Sequence, residues 1–67
     1  MRNDDIIRMT RQIADFFEPY GEAETVEGVT SHLKNFWTPA MREALKTLAA
    51  SDPGKLDPEV VEAAKRL

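Results

Sequence analysis

The sequence predicts an all-α domain, a small three- to four-helix bundle with short turns. Two patterns carry that prediction. Apolar residues recur at the i, i+3, i+4, i+7 spacing of one helical face in each long segment. Between the segments stand Pro-marked boundaries rather than long loops. No stretch alternates as a half-buried strand would, and there is no low-complexity tract. A chain of 67 residues is one domain at most, here 1–67. It lies near the size at which a single core is only marginally stabilising.

The first helix is expected from about Asp4 to Phe17 or Glu18. Ile6, Met9, Thr10, Ile13, Phe16 and Phe17 share one face, with Arg8, Arg11 and Asp15 opposite. Asn3 or Asp4 is the expected cap, and the early acids suit the positive end of the helix dipole. Pro19 disfavours helix at Glu18, and Tyr20-Gly21 completes a turn.

The second helix is expected from roughly Glu22 to Phe36. Its stripe is Val26, Val29, Thr30, Leu33, Phe36 and Trp37, and Glu22, Glu24 and Glu27 load its N-terminal half with acid. Gly28 inside it costs about 1 kcal/mol relative to Ala. That points either to close approach of another backbone or to a helix that starts later. The two segments also share a template. Ile6, Met9, Thr10, Ile13, Phe16, Phe17 and Pro19 align with Val26, Val29, Thr30, Leu33, Phe36, Trp37 and Pro39 at a displacement of twenty residues. The common helical period accounts for most of this match. Two amphipathic helices joined by a short turn should pack antiparallel.

The stretch from His32 to Met41 holds the sharpest boundary. Thr38 precedes Pro39 and is pushed out of the α region, so one helix ends at Phe36-Trp37 and another begins at Pro39 with Thr38 as its cap. This third helix is expected to reach about Ala50, with Met41, Ala44, Leu45 and Leu48 inward and Arg42, Glu43 and Lys46 outward. Ser51-Asp52-Pro53-Gly54 is a turn cluster. Asp57-Pro58-Glu59 then repeats the cap, Pro, acid order, for a short fourth helix over about 58–65 carrying Val60, Val61, Ala64 and Leu67. Weakly apolar and terminal, it is expected to fray or to dock elsewhere.

Composition narrows the function. Net charge is -3 and the pI is about 5.0. Arg8, Arg11, Lys34, Arg42, Lys46 and Lys65 are dispersed among twelve acids, not gathered into the basic face of a nucleic-acid binder. There is no Cys, hence no disulfide or thiolate metal site, which suits a reducing compartment. No apolar run approaches the ~20 residues of a membrane span. The N-terminal residues lack a signal peptide's apolar region. A soluble, cytoplasmic chain without membrane contact is expected.

The single His is the obvious candidate for chemistry. Around His32, positions i±4 are Gly28 and Phe36, and positions i±3 are Val29 and Asn35. None is a strong metal ligand at helical spacing, so a structural or interface His is the expectation. Ser31 adjoins His32, but adjacent helical residues do not face one another. Gly21, Gly28 and Gly54 are isolated, so no phosphate loop exists. No catalytic residue, metal site or cofactor is expected. The segment Pro39–Ala50 as a DNA-recognition helix offers only Arg42 and Lys46 against Glu43, which is poor phosphate neutralisation. What remains is an aromatic and Met set, with Phe16, Phe36 and His32 to one side of their stripes. In so small a bundle an accessible aromatic edge favours partner contact.

The residues also resemble a family. His32-x-x-x-Phe36-Trp37-x-Pro39-x-Met41-Arg42 carries the likeness. It is supported by Arg8-Met9, Gln12-Ile13-Ala14-x-Phe16-Phe17 and Leu56-Asp57-Pro58. Over about Ile6 to Leu67 the chain resembles the small delta subunit of bacterial molybdenum-containing, NAD-dependent formate dehydrogenase. The resemblance implies a non-catalytic accessory subunit associated with assembly or stability of the complex. In such systems the large alpha subunit carries the molybdenum bis-guanine-dinucleotide cofactor and iron–sulfur clusters. Flavin, further clusters and the NAD site belong to the beta and gamma subunits.

The expected partner is therefore the alpha subunit, met through His32, Phe36, Trp37, Met41 and Arg42, with self-association when free left open. The alternative is a small self-associating helical regulatory protein that binds nucleic acid. A third reading, handling of the molybdenum cofactor itself, would rest on Arg8, Arg11 and Arg42 as anion donors.

Overall fold

The computed structural model describes residues 2–67. Its four α-helices are α1 Asn3–Phe17, α2 Glu22–Phe36, α3 Pro39–Ser51 and α4 Pro58–Lys65. Single turns of 3-10 helix at Glu18–Tyr20 and Pro53–Lys55 complete the α1–α2 and α3–α4 connections. No strand occurs among the described residues, so the all-α class follows directly.

The start of α1 differs from the expectation. Neither Asn3 nor Asp4 is the cap; extended Arg2 takes that position. A guanidinium has no acceptor to offer the helix. Asp5 supplies the reciprocal contact, accepting the Arg2 backbone N–H at 3.4 Å. The same side chain pairs with Arg8 at 3.3 Å.

The turn into α2 requires a glycine. Gly21 sits at φ 98°, in the left-handed region that a Cβ disfavours. Its N–H donates to the Glu18 carbonyl at 3.1 Å. Its own carbonyl accepts the Thr25 N–H at 2.9 Å and the Thr25 hydroxyl at 2.7 Å. Helix α2 is thus regular from Glu22, and Gly28 lies in its interior rather than before its start. What approaches Gly28 is not a backbone but the ring of Phe17. A Cβ at Gly28 would fall 2.6 Å from Cδ1 and Cε1 of that ring. Ile13 of α1 meanwhile shares a surface recess with His32 of α2. Residues 13 and 17 thus meet 32 and 28, so the two helices run antiparallel.

The twenty-residue template extends to local geometry. Thr10 and Thr30 are both buried, and each donates its hydroxyl to the carbonyl four residues back, Ile6 at 2.8 Å and Val26 at 2.7 Å. Phe16 and Phe36 are both exposed, whereas Phe17 and Trp37 both turn inward.

Thr38 caps α3, accepting the Met41 N–H at 3.2 Å behind Pro39. This helix runs one residue beyond Ala50, to Ser51. The expectation that α4 frays or docks elsewhere is overturned. Helix α4 packs extensively on α2, with Val60 and Ala63 at 0% exposure. Its small residues explain the difference. Ala63 and Ala64 add little apolar bulk to the sequence pattern but let the helix axes approach closely, so nearly every inward atom is buried. Asp57 caps α4 through its backbone alone. Its carboxylate turns to Arg11 of α1, 4.0 Å away, and so ties the first helix to the last. The same core takes Ile6 and Ala14 from α1, Val29 and Leu33 from α2, and Leu45 and Leu48 from α3.

Candidate interaction surface

The last turn of α1, the turn through Tyr20 and the outer side of α2 form one face. Successive helical residues diverge by about 100°, so only one of Phe16 and Phe17 can enter the core. Phe17 turns inward, half-buried against the core with its ring over Gly28. Phe16 stands edge-on to it, ring centroids 5.0 Å apart at 86°, and is 70% exposed. The same choice recurs at the end of α2. Trp37 enters the core at 5% exposure and Phe36 is left 74% exposed. His32 is half-buried, its ring 4.9 Å from that of Phe36. Tyr20, held outward by the turn, is 67% exposed.

Two recesses flank Phe16. One, of about 270 Å³, is lined by Ile13, Phe16, Phe17 and His32. The other, of about 340 Å³, is lined by Phe16, Phe17, Tyr20, Glu24, Glu27, Gly28 and Ser31. Glu24 and Glu27 stand three residues apart on one side of α2. Neither carboxylate has an ion-pair or hydrogen-bond partner among the described residues.

The five residues expected to meet a partner are not one surface. The structure brings His32 and Phe36 together at the exterior. Trp37 is core, and Met41 is half-buried against it. Arg42 is half-buried and occupied. Its Nη1 donates to the carbonyls of Trp37 at 3.0 Å and Lys34 at 3.2 Å, closing the C-terminal end of α2. The three arginines considered as anion donors are each engaged locally: Arg8 with Asp5, Arg11 with Asp57, and Arg42 with those carbonyls.

Tyr20, Glu24 and Glu27 were not among the expected contact residues. A signal for them exists in the sequence. From residue 12 to residue 33 there is no Lys or Arg, while Asp15, Glu18, Glu22, Glu24 and Glu27 fall in that span together with Phe16 and Tyr20. A turn aromatic escapes a helical-periodicity reading, and helix-dipole logic had already accounted for the acids.

Among the described residues no group of three or more His, Cys, Asp and Glu could hold a metal ion. No helix of theirs is long and apolar enough to cross a membrane. Every buried side-chain polar atom among them has a hydrogen-bond partner.

Comparison with curated proteins and with solved structures returned no match. Comparison with family models matched residues 5–64 to the NADH-dependent formate dehydrogenase delta subunit, FdsD. The match spans nearly all of the helical structure, from the first turn of α1 to the last turn of α4, and the chain belongs to the formate dehydrogenase delta-subunit family.

Proposed function

We propose that this chain is a non-catalytic accessory subunit that binds the large catalytic subunit of an NAD-dependent formate dehydrogenase and stabilises or helps assemble the complex. The observation that carries this reading is the exposed aromatic edge on a delta-subunit scaffold. Phe16, Tyr20 and Phe36 are each about two-thirds exposed or more on a chain of only 67 residues. Large aromatics left in water on one side of a small bundle are the composition of a partner surface.

In this reading His32 and Phe36 contact the catalytic subunit directly. Trp37, Met41 and Arg42 act from behind, fixing the angle between α2 and α3 that presents them. The ionisable groups suit a binding role. Among the described residues most lie on exposed helix faces, and their side-chain partners are other charges or backbone groups.

Co-purification of the tagged chain from its native host tests the reading, with formate-dependent NAD reduction assayed in the eluate. Recovery of a large molybdenum–iron–sulfur subunit with activity supports a lasting subunit. Recovery of that subunit without activity supports a role in assembly. A chain that emerges alone, or with nucleic acid, would overturn the proposal.

A further inference from the structure

We infer that the α1–α2 face docks a basic segment of a protein partner, one that inserts a large apolar side chain and an adjacent Arg or Lys side chain on either side of Phe16. The inference rests on the accessory-subunit reading and specifies the chemistry of the segment bound.

The two recesses differ in character. That of Ile13, Phe16, Phe17 and His32 has an aliphatic side chain and three rings for walls and offers no carboxylate. It fits an apolar anchor. Across Phe16, the second recess combines the rings of Phe16, Phe17 and Tyr20 with the carboxylates of Glu24 and Glu27. Aromatic faces beside unpaired carboxylates are the surroundings that a guanidinium or ammonium group prefers. Both recesses are of side-chain size, and they share Phe16 and Phe17, of which Phe16 is the exposed one.

Charge selects the occupant. Glu24 and Glu27 are the charged side chains lining the two recesses, and no Lys or Arg lines either. A second copy meeting this face symmetrically would set acid against acid. An anionic lipid surface would be repelled as well. A basic protein segment is the occupant that the field attracts, and its apolar neighbour covers the rings.

The test uses the complex assembled with the other formate dehydrogenase subunits. Glu24→Gln/Glu27→Gln removes charge at exposed positions with little change of shape, and Phe16→Ser removes the exposed shared ring. Circular dichroism of each variant checks that the helices persist. The expected result for the Gln pair is affinity reduced about threefold to thirtyfold at low salt, with a flatter salt dependence than the parent. Phe16→Ser should weaken binding at every salt concentration. If both variants bind as tightly as the parent, or if the Gln pair keeps the parental salt dependence, the inference is overturned while the accessory role stands. If the parent chain captures no subunit, both fall together.

Discussion

Gly28→Ala should destabilise this protein, against the usual direction for a glycine inside a helix. Intrinsic propensity favours Ala there by about 1 kcal/mol. The added methyl, however, would sit 2.6 Å from Cδ1 and Cε1 and 2.7 Å from Cγ of Phe17. Carbon atoms pack at about 3.5–4.0 Å, so the shortfall is on the order of 1 Å. It involves the base of the ring as well as its edge, so a small swing of the ring tip does not relieve it. Either Phe17 changes rotamer, which disturbs Phe16 beside it, or α1 and α2 separate. Overpacking of this kind costs roughly 1–3 kcal/mol, so after the propensity gain the net loss is up to about 2 kcal/mol. For a domain of this size that lowers Tm by up to about 15 °C. The assay is thermal and urea unfolding followed by circular dichroism, in the parent and in a Phe17→Leu background. Leu keeps an apolar side chain but removes the flat ring, so in that background Gly28→Ala should stabilise. A gain in Tm in the parent, or the same effect in both backgrounds, would refute the reasoning.

Three further outcomes are expected. Trp37→Ala deletes the largest buried side chain at the α2–α3 corner and should cost about 3–5 kcal/mol in the free chain; an unchanged melting temperature would show that Trp37 is not core. Thr38→Ala removes the hydroxyl that accepts the Met41 N–H and should cost about 1 kcal/mol in a urea titration, with Thr38→Ser restoring most of it. Arg42→Met keeps the stem and loses both bonds to the end of α2; a loss of about 0.5–1.5 kcal/mol is expected, and faster amide exchange should be confined to the last turn of α2.

Turn chemistry makes the architecture legible in the sequence. Pro19-Tyr20-Gly21, Thr38-Pro39 and Asp57-Pro58 each constrain the backbone locally, so the helix breaks follow from nearest neighbours alone. Burial is a different kind of property. Phe16-Phe17 and Phe36-Trp37 are adjacent pairs at the edge of a stripe, and periodicity cannot say which member turns inward. Gly28 settles the first pair, because only a residue without a Cβ admits the Phe17 ring. The weight of α4 was hidden for a related reason, since Ala63 and Ala64 contribute through close approach rather than through bulk. Arg42 reads as a solvated charge because its acceptors, the carbonyls of Lys34 and Trp37, lie at the end of another helix. Of the surface, His32 and Phe36 were readable as a pair at i, i+4. Tyr20, Glu24 and Glu27 become part of the same face only when the antiparallel turn is formed.

Hydroxyl-radical footprinting of the chain, free and in the assembled formate dehydrogenase, asks directly whether the exposed aromatics are the docking surface. Phe16, Tyr20 and Phe36 should label strongly in the free chain and be protected in the complex, while buried Trp37 labels weakly in both. Equal labelling of the three exposed aromatics in both states would show that they are not that surface.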